Sequence, residues 1–298
     1  MIGPVQRMRK LQTMLLLFLI FASGCTQPVE PVSMLEPTPG WTVTATEILS
    51  TSTPVPMETS QPTPASTATV DPASLFTVSS PLEDVKLTEL ASIISEPFAN
   101  PGPGLDDGHH GTDFAYYSRD TRETMLGLPI LSLLNGRVAA VINDVDPYGY
   151  LIIIETPINS IPAELLDLLQ PPVQQTPFPY NPRMQFCPGL KKQSWTVDTG
   201  SLYLLYGHLQ DASPLSVGEN VTSGRMIGQV GNTGMSGNPH LHLEMRWGPS
   251  GTEFASMNYY NTGATQEEMD NYCVWRVSGL YVLQDPMAFL NAWFSLTQ

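Results

Sequence analysis

Apolar residues fall at strand spacing in three stretches in the second half of the chain. "GYLIIIET" (Gly149 to Thr156) is a β-branched run suited to a buried strand, and "SLYLLYGHL" (Ser201 to Leu209) and "HLHLEMRW" (His240 to Trp247) alternate like two more. "PILSLLNGRVAAVIN" (Pro129 to Asn143) adds a strand-like run whose "NG" is a hairpin signal. Between Val217 and Gly237 the glycines recur as short strands joined by tight turns require. Ahead of these, Leu87, Leu90, Ile93 and Ile94 sit at helical spacing and predict a short packing helix. The pattern predicts a mainly β fold, one antiparallel domain over residues 82–298.

Two stretches interrupt it, residues 157–200 and 248–279. Each is too long for a plain connection in a compact domain, so both read as insertions. Cys187 lies in one and Cys273 in the other, and we expect a disulfide to tie the two together.

The N-terminal part has a different pattern. Arg7, Arg9 and Lys10 precede the apolar "MLLLFLIFA", and "ASGC" closes at Cys25. The apolar run is too short to span a bilayer. The ending resembles the lipobox of bacterial lipoproteins, which implies cleavage after residue 24, a lipid on Cys25 and an exported, membrane-anchored product. Residues 26–81, rich in Pro, Thr and Ser with no Lys or Arg, have the composition of a disordered spacer. Such a spacer reaches roughly 40 Å as a flexible coil and on the order of 150 Å if polyproline-like.

The formal net charge is −15, and loss of Arg7, Arg9 and Lys10 with the signal makes the product more acidic still. A chain this acidic is a poor partner for nucleic acid, whose affinity for proteins comes largely from phosphate contacts. Anionic wall polymers would also repel it, so a lipid anchor is the better means of attachment. In an exported setting Cys187 and Cys273 remain as an even pair.

The five histidines all fall in three short motifs: His109 and His110 in "HHGTD", His208 in "YGHL", and His240 and His242 in "HLH". His240 and His242, two apart on a strand, face the same side about 6.5–7 Å apart. Asp113 lies four residues after His109 and three after His110, and a turn at Gly111 would bring a histidine and the carboxylate onto one ion. Histidine and carboxylate are both ordinary zinc ligands, and a catalytic zinc keeps three protein ligands and an open position.

"HHGTDF", "YGHL", the glycine-rich run through "HLHLE", and "QDPMAFL", in that order, resemble the lysostaphin-type (LytM-domain) zinc metallopeptidases over roughly residues 106–290, the insertions apart. The resemblance implies Zn2+ held by His109, Asp113 and His242, with His208 and His240 catalytic and His110 outside the ligand set. It implies a compact antiparallel sheet of the duplicated-hybrid-motif type, with the zinc in a groove. The activity it implies is hydrolysis of peptide bonds in bacterial peptidoglycan through a zinc-activated water, with stem or cross-link peptides as partners. Within that scheme we expect proton transfer from His240 and oxyanion or substrate contact from His208. Glu244 is expected to orient a ligand or serve structure, Asp106 and Asp107 to cap or solvate their turn, and Tyr206 to line the core or groove.

A second class remains open: a non-catalytic LytM-type module that binds wall or activates a hydrolase, its groove covered by the insertions. All five expected site positions are filled, which favours the enzyme. A zinc store would have no use for two extra non-ligand histidines.

Overall fold

The computed structural model describes residues 76–175, 187 and 194–297, all within one unit of the chain, 65–298. The signal segment with Cys25, residues 26–75 of the spacer, and residues 176–186 and 188–193 of the first insertion lie outside the described residues. The end of the stretch that composition assigns to the spacer is packed: Phe76 meets Trp293 edge-on at 5.6 Å, and the Ser79 N–H donates to the Leu133 carbonyl at 3.0 Å. Phe76 and Val78 are the apolar residues that make this possible, and a composition window averages them away.

The strands are β1 (Ile94–Glu96), β2 (Gly111–Phe114), β3 (Pro129–Leu131), β4 (Gly136–Val145) and β5 (Gly149–Pro157). After helix α1 (Ala163–Leu169) come β6 (Gln174–Gln175), β7 (Trp195–Thr196), β8 (Gly200–Leu209), β9 (Asn220–Val221), β10 (Met226–Gln229) and β11 (Leu241–Pro249). Helix α2 (Gln266–Arg276), β12 (Val282–Gln284) and helix α3 (Pro286–Thr297) complete the order. The fold is mainly β and antiparallel. Its large sheet runs β1-β2-β11-β8-β5-β4-β9. Strands β2 and β12 lie end to end along one edge of β11, against Leu241–Glu244 and Met245–Trp247 respectively.

The three apolar runs become the centre of this sheet, β5, β8 and β11. Every residue of β8 is buried, as is every residue of β11 except Pro249. Full burial at roughly 1.5–3 kcal/mol per large apolar side chain makes this ladder the main stabilising unit. Tyr206 belongs to it, its hydroxyl accepting from the Leu133 N–H at 2.9 Å.

Three local readings change. The helical pattern at Leu87 gives a 3-10 helix, Leu87–Ile93, in which Leu90 and Ile93 are buried. Ile94 leaves it to open β1, where it pairs with Phe114. "NG" forms no β3–β4 hairpin, because β3 pairs with β10 while β4 pairs with β5. The β4–β5 hairpin instead closes at Gly149 (φ +66°), where a Cβ would lie 2.2 Å from Thr233 Oγ1.

The insertions carry local order of their own. α2 opens on a capping box: Thr265 Oγ1 accepts from the Glu268 N–H at 3.2 Å, and Glu268 Oε2 accepts from the Thr265 N–H at 2.8 Å. A disulfide joins Cys273 of α2 to Cys187 of the first insertion. α3 begins at Pro286, with Asp285 Oδ1 accepting from the Met287 N–H at 2.8 Å. This start is the "QDPMAFL" block.

Candidate metal centre

The "HHGTD" stretch is a strand entry rather than a turn. His109 is bridged to Ala99, and β2 starts two residues later. On extended backbone, residues 109, 111 and 113 face one side and His110 and Thr112 the other. Asp113 is in register with His242 of β11, which pairs on its other side with Gly207 of β8. Gly111 is needed for clearance: a Cβ there would lie 2.7 Å from His242 Cε1 and 2.5 Å from the Leu243 carbonyl.

His109 Nε2 and His242 Nδ1 are 3.2 Å apart, and both approach Asp113 Oδ1, at 3.2 and 2.8 Å. These are the edges of a small tetrahedral set, since ligands about 2.0–2.1 Å from a zinc ion stand roughly 3.3 Å from one another. Among the described residues these three form the one His/Cys/Asp/Glu group with metal-ligand spacing. The rings are oriented for the task. His109 Nδ1–H donates to the Pro97 carbonyl at 3.0 Å, which turns Nε2 toward Asp113. His242 Nε2–H points at Glu244 Oε2, 3.5 Å away, which turns Nδ1 toward the same carboxylate. The donor set fits Zn2+.

His208 and His240 flank it. His208 sits at φ +58° at the end of β8, a left-handed conformation that costs a non-glycine residue energy. Its N–H donates to the Tyr148 carbonyl (2.7 Å), and its own carbonyl accepts from Gly231 (3.0 Å). Its ring lies 4.7 Å from that of His240 and 5.8 Å from that of His242. His208 Nδ1–H donates to the Thr233 carbonyl at 2.8 Å, and His240 Nδ1–H to the Asn238 carbonyl at 2.8 Å. His240 Nε2 lies 3.3 Å from Asp113 Oδ2.

Burial and neighbours set the protonation. Burial, and then the nearby His242 and His240, push His208 down to about 3, so the ring is neutral. Burial also disfavours charge on His240, yet the Asp113 carboxylate outweighs it and raises the His240 pKa. Against the same burial penalty, hydrogen bonds to Asp113 and Glu244 raise His242 to about 9. Asp113 is held far below the ordinary carboxylate range, its own burial overridden by hydrogen bonds from His109, His240 and His242.

His110 takes no part in this cluster. It is buried on the opposite face, where Nδ1 accepts from Arg246 Nη2 at 2.6 Å and Nε2–H donates to the Asp107 carbonyl at 3.1 Å. Asp107 caps its loop, Oδ1 accepting from the Gly102 N–H at 2.8 Å. Glu244 is fully buried and accepts from Arg246 Nε and, at 2.8 Å, from the Tyr148 hydroxyl. Asp106 does more than solvate a turn, as it pairs with Arg276 of α2. Tyr148 and Arg276 also line the groove of about 460 Å3 above the cluster, together with Ser236 and Asn238. Single-sequence pattern offered no sign of either, since each is a lone residue far in sequence from its partners.

An antiparallel β-sheet with a His2Asp donor set and two further histidines beside it is the class of molecule these features define. Residues 191–255 match Peptidase family M23, a span that holds His208, His240 and His242 but not His109 or Asp113. No curated protein matches the sequence. Among solved structures the chain is similar to the catalytic domain of the antimicrobial peptidase lysostaphin from Staphylococcus simulans, at 18% identity and TM-score 0.34, covering 69% of this chain and 98% of that one. It is similar to the catalytic domain of the prophage-encoded M23 protein EnpA from Enterococcus faecalis, at 18% identity and TM-score 0.31, covering 58% and 92%. A zinc-containing peptidase from Vibrio cholerae is also similar, at 23% identity and TM-score 0.29, covering 51% and 32%.

Proposed function

We propose that this chain is an exported, lipid-anchored zinc metalloendopeptidase that hydrolyses peptide bonds of bacterial peptidoglycan, with His109, Asp113 and His242 as the metal ligands. The observation that carries the reading is the preset donor set: two imidazole nitrogens and a carboxylate oxygen converge within 4.8 Å, each imidazole held by a partner on its other nitrogen. The family M23 match over residues 191–255 supports a peptidase, and M23 peptidases act on peptidoglycan peptides. The lipobox at Cys25 and the spacer support an anchored product working at a distance.

When bound, zinc supplies a Lewis acid that polarises the scissile carbonyl and brings the pKa of a water toward neutrality. His208, with Nδ1–H committed to Thr233, and His240, with Nδ1–H committed to Asn238, each turn Nε2 to the groove, one for proton transfer and the other for the developing oxyanion.

The test is digestion of purified peptidoglycans of several chemistries by the chain from residue 26 onward, with muropeptides read by mass spectrometry. New peptide ends that vanish in chelator and return with zinc are expected. Absence of any new end with zinc-loaded protein would leave the non-catalytic wall-binding module as the better reading.

A further inference from the structure

The second insertion reaches the surroundings of the metal centre through α2, with Arg276 on its last turn. Arg276 Nη1–H donates to the Tyr148 hydroxyl at 3.0 Å, and that hydroxyl donates to Glu244 Oε2 at 2.8 Å. The same Glu244 oxygen faces His242 Nε2 at 3.5 Å. On its other side Arg276 Nε–H donates to Asp106 Oδ1 at 2.7 Å. Asp106 stands three residues before His109, and its second oxygen accepts from the Tyr260 and Tyr272 hydroxyls at 2.7 Å each. One planar guanidinium therefore touches both the hydroxyl that supports Glu244 behind His242 and a carboxylate on the loop leading into His109. It also lies over the rings of Tyr148 and Tyr272, at 5.7 and 5.6 Å.

We propose that Arg276 is a positioning residue for the metal centre, fixing His242 through Tyr148 and Glu244 and the approach to His109 through Asp106. The inference rests on the zinc site proposed above. Its chemistry follows from the fork of the guanidinium, which holds two acceptors at a fixed angle where an ammonium on a flexible stem cannot. Partners behind a metal-bound imidazole fix its rotamer and tautomer, and their loss typically costs 10–100-fold in metal affinity. An interruption of the β pattern thereby becomes part of the site: α2 is stapled by Cys273, capped at Thr265, and presents Tyr272 and Arg276, four apart, on one face.

The experiment measures zinc dissociation constants by competition with a chromophoric chelator, together with the Tm of the metal-free protein, for wild type, Tyr148→Phe, Arg276→Met and the double variant. Tyr148→Phe keeps the ring packing and removes only the relaying hydroxyl, so it serves even where Arg276→Met folds poorly. We expect zinc binding about 10–100-fold weaker in Tyr148→Phe, whatever the change in its metal-free Tm. The double variant should be no weaker than the more affected single variant, because the two act in series. Tyr148→Phe binding zinc as tightly as wild type, or a lower Tm with unchanged zinc affinity, overturns the inference and leaves the enzyme reading intact. A wild-type protein that binds no zinc overturns the enzyme reading itself, and this inference with it.

Discussion

His109 and His110 are adjacent in the chain and have opposite surroundings, because extended backbone turns successive side chains to opposite faces. Spacing to Asp113 alone did not separate them. Strand parity does, since 109 and 113 share a face and 110 does not. His109→Ala should abolish stoichiometric zinc binding measured by metal analysis. His110→Ala should keep one zinc per chain yet lower stability by about 1–3 kcal/mol in thermal melts, because a buried Arg246 donor loses its acceptor. Burial, and then the charges of Arg246 and Arg276, push His110 down to about 3, so the neutral ring is the partner being removed. Equal zinc loss in the two variants would put the register of β2 in error.

Among the elements, β5, β8 and β11 were legible as apolar runs because central strands buried on both faces leave little room for anything polar. The histidine motifs were legible because all five histidines fall in three short stretches. What stayed hidden depends on contacts distant in sequence. "NG" carries a local turn preference, but the partner of β3 is β10, almost 100 residues on, and tertiary pairing overrode the local signal. The roles of Asp106 and Arg276 were equally unreadable, because a salt bridge spanning 170 residues leaves no periodicity. The insertions showed as length and as one cysteine apiece. Their disulfide closes 86 residues, for which chain entropy gives a stabilisation of roughly 2–5 kcal/mol. Cys187→Ser with Cys273→Ser should therefore melt well below wild type in metal-free calorimetry, and coincident transitions would mean that the staple contributes nothing.

At the scale of the whole molecule, the site sets how stability responds to pH. His208 has a folded pKa of about 3 against an ordinary 6.5, so its contribution is complete above pH 6.5 and is lost as pH falls toward 3. His242 has a folded pKa of about 9, so its contribution is complete below pH 6.5 and is lost as pH rises through 9. Together these two groups place the maximum for the metal-free protein near pH 6.5. With zinc present the alkaline limb should reverse, because the ion binds only the deprotonated imidazole. Tm profiles in chelator and in zinc test both statements, and a chelated Tm that climbs from pH 6.5 to 9 would contradict the first.

Asp113 and His242 face each other across two neighbouring strands. A slip of β2 by one residue would turn Asp113 to the far side of the sheet and bring Thr112 or Phe114 to the metal. Such a molecule would keep nearly all its apolar burial and look folded to most probes, yet have no place for an ion. Metal occupancy is thus a proofreading signal for the molecule, reporting from a single atom whether two strands that meet across more than a hundred residues have met in the right frame.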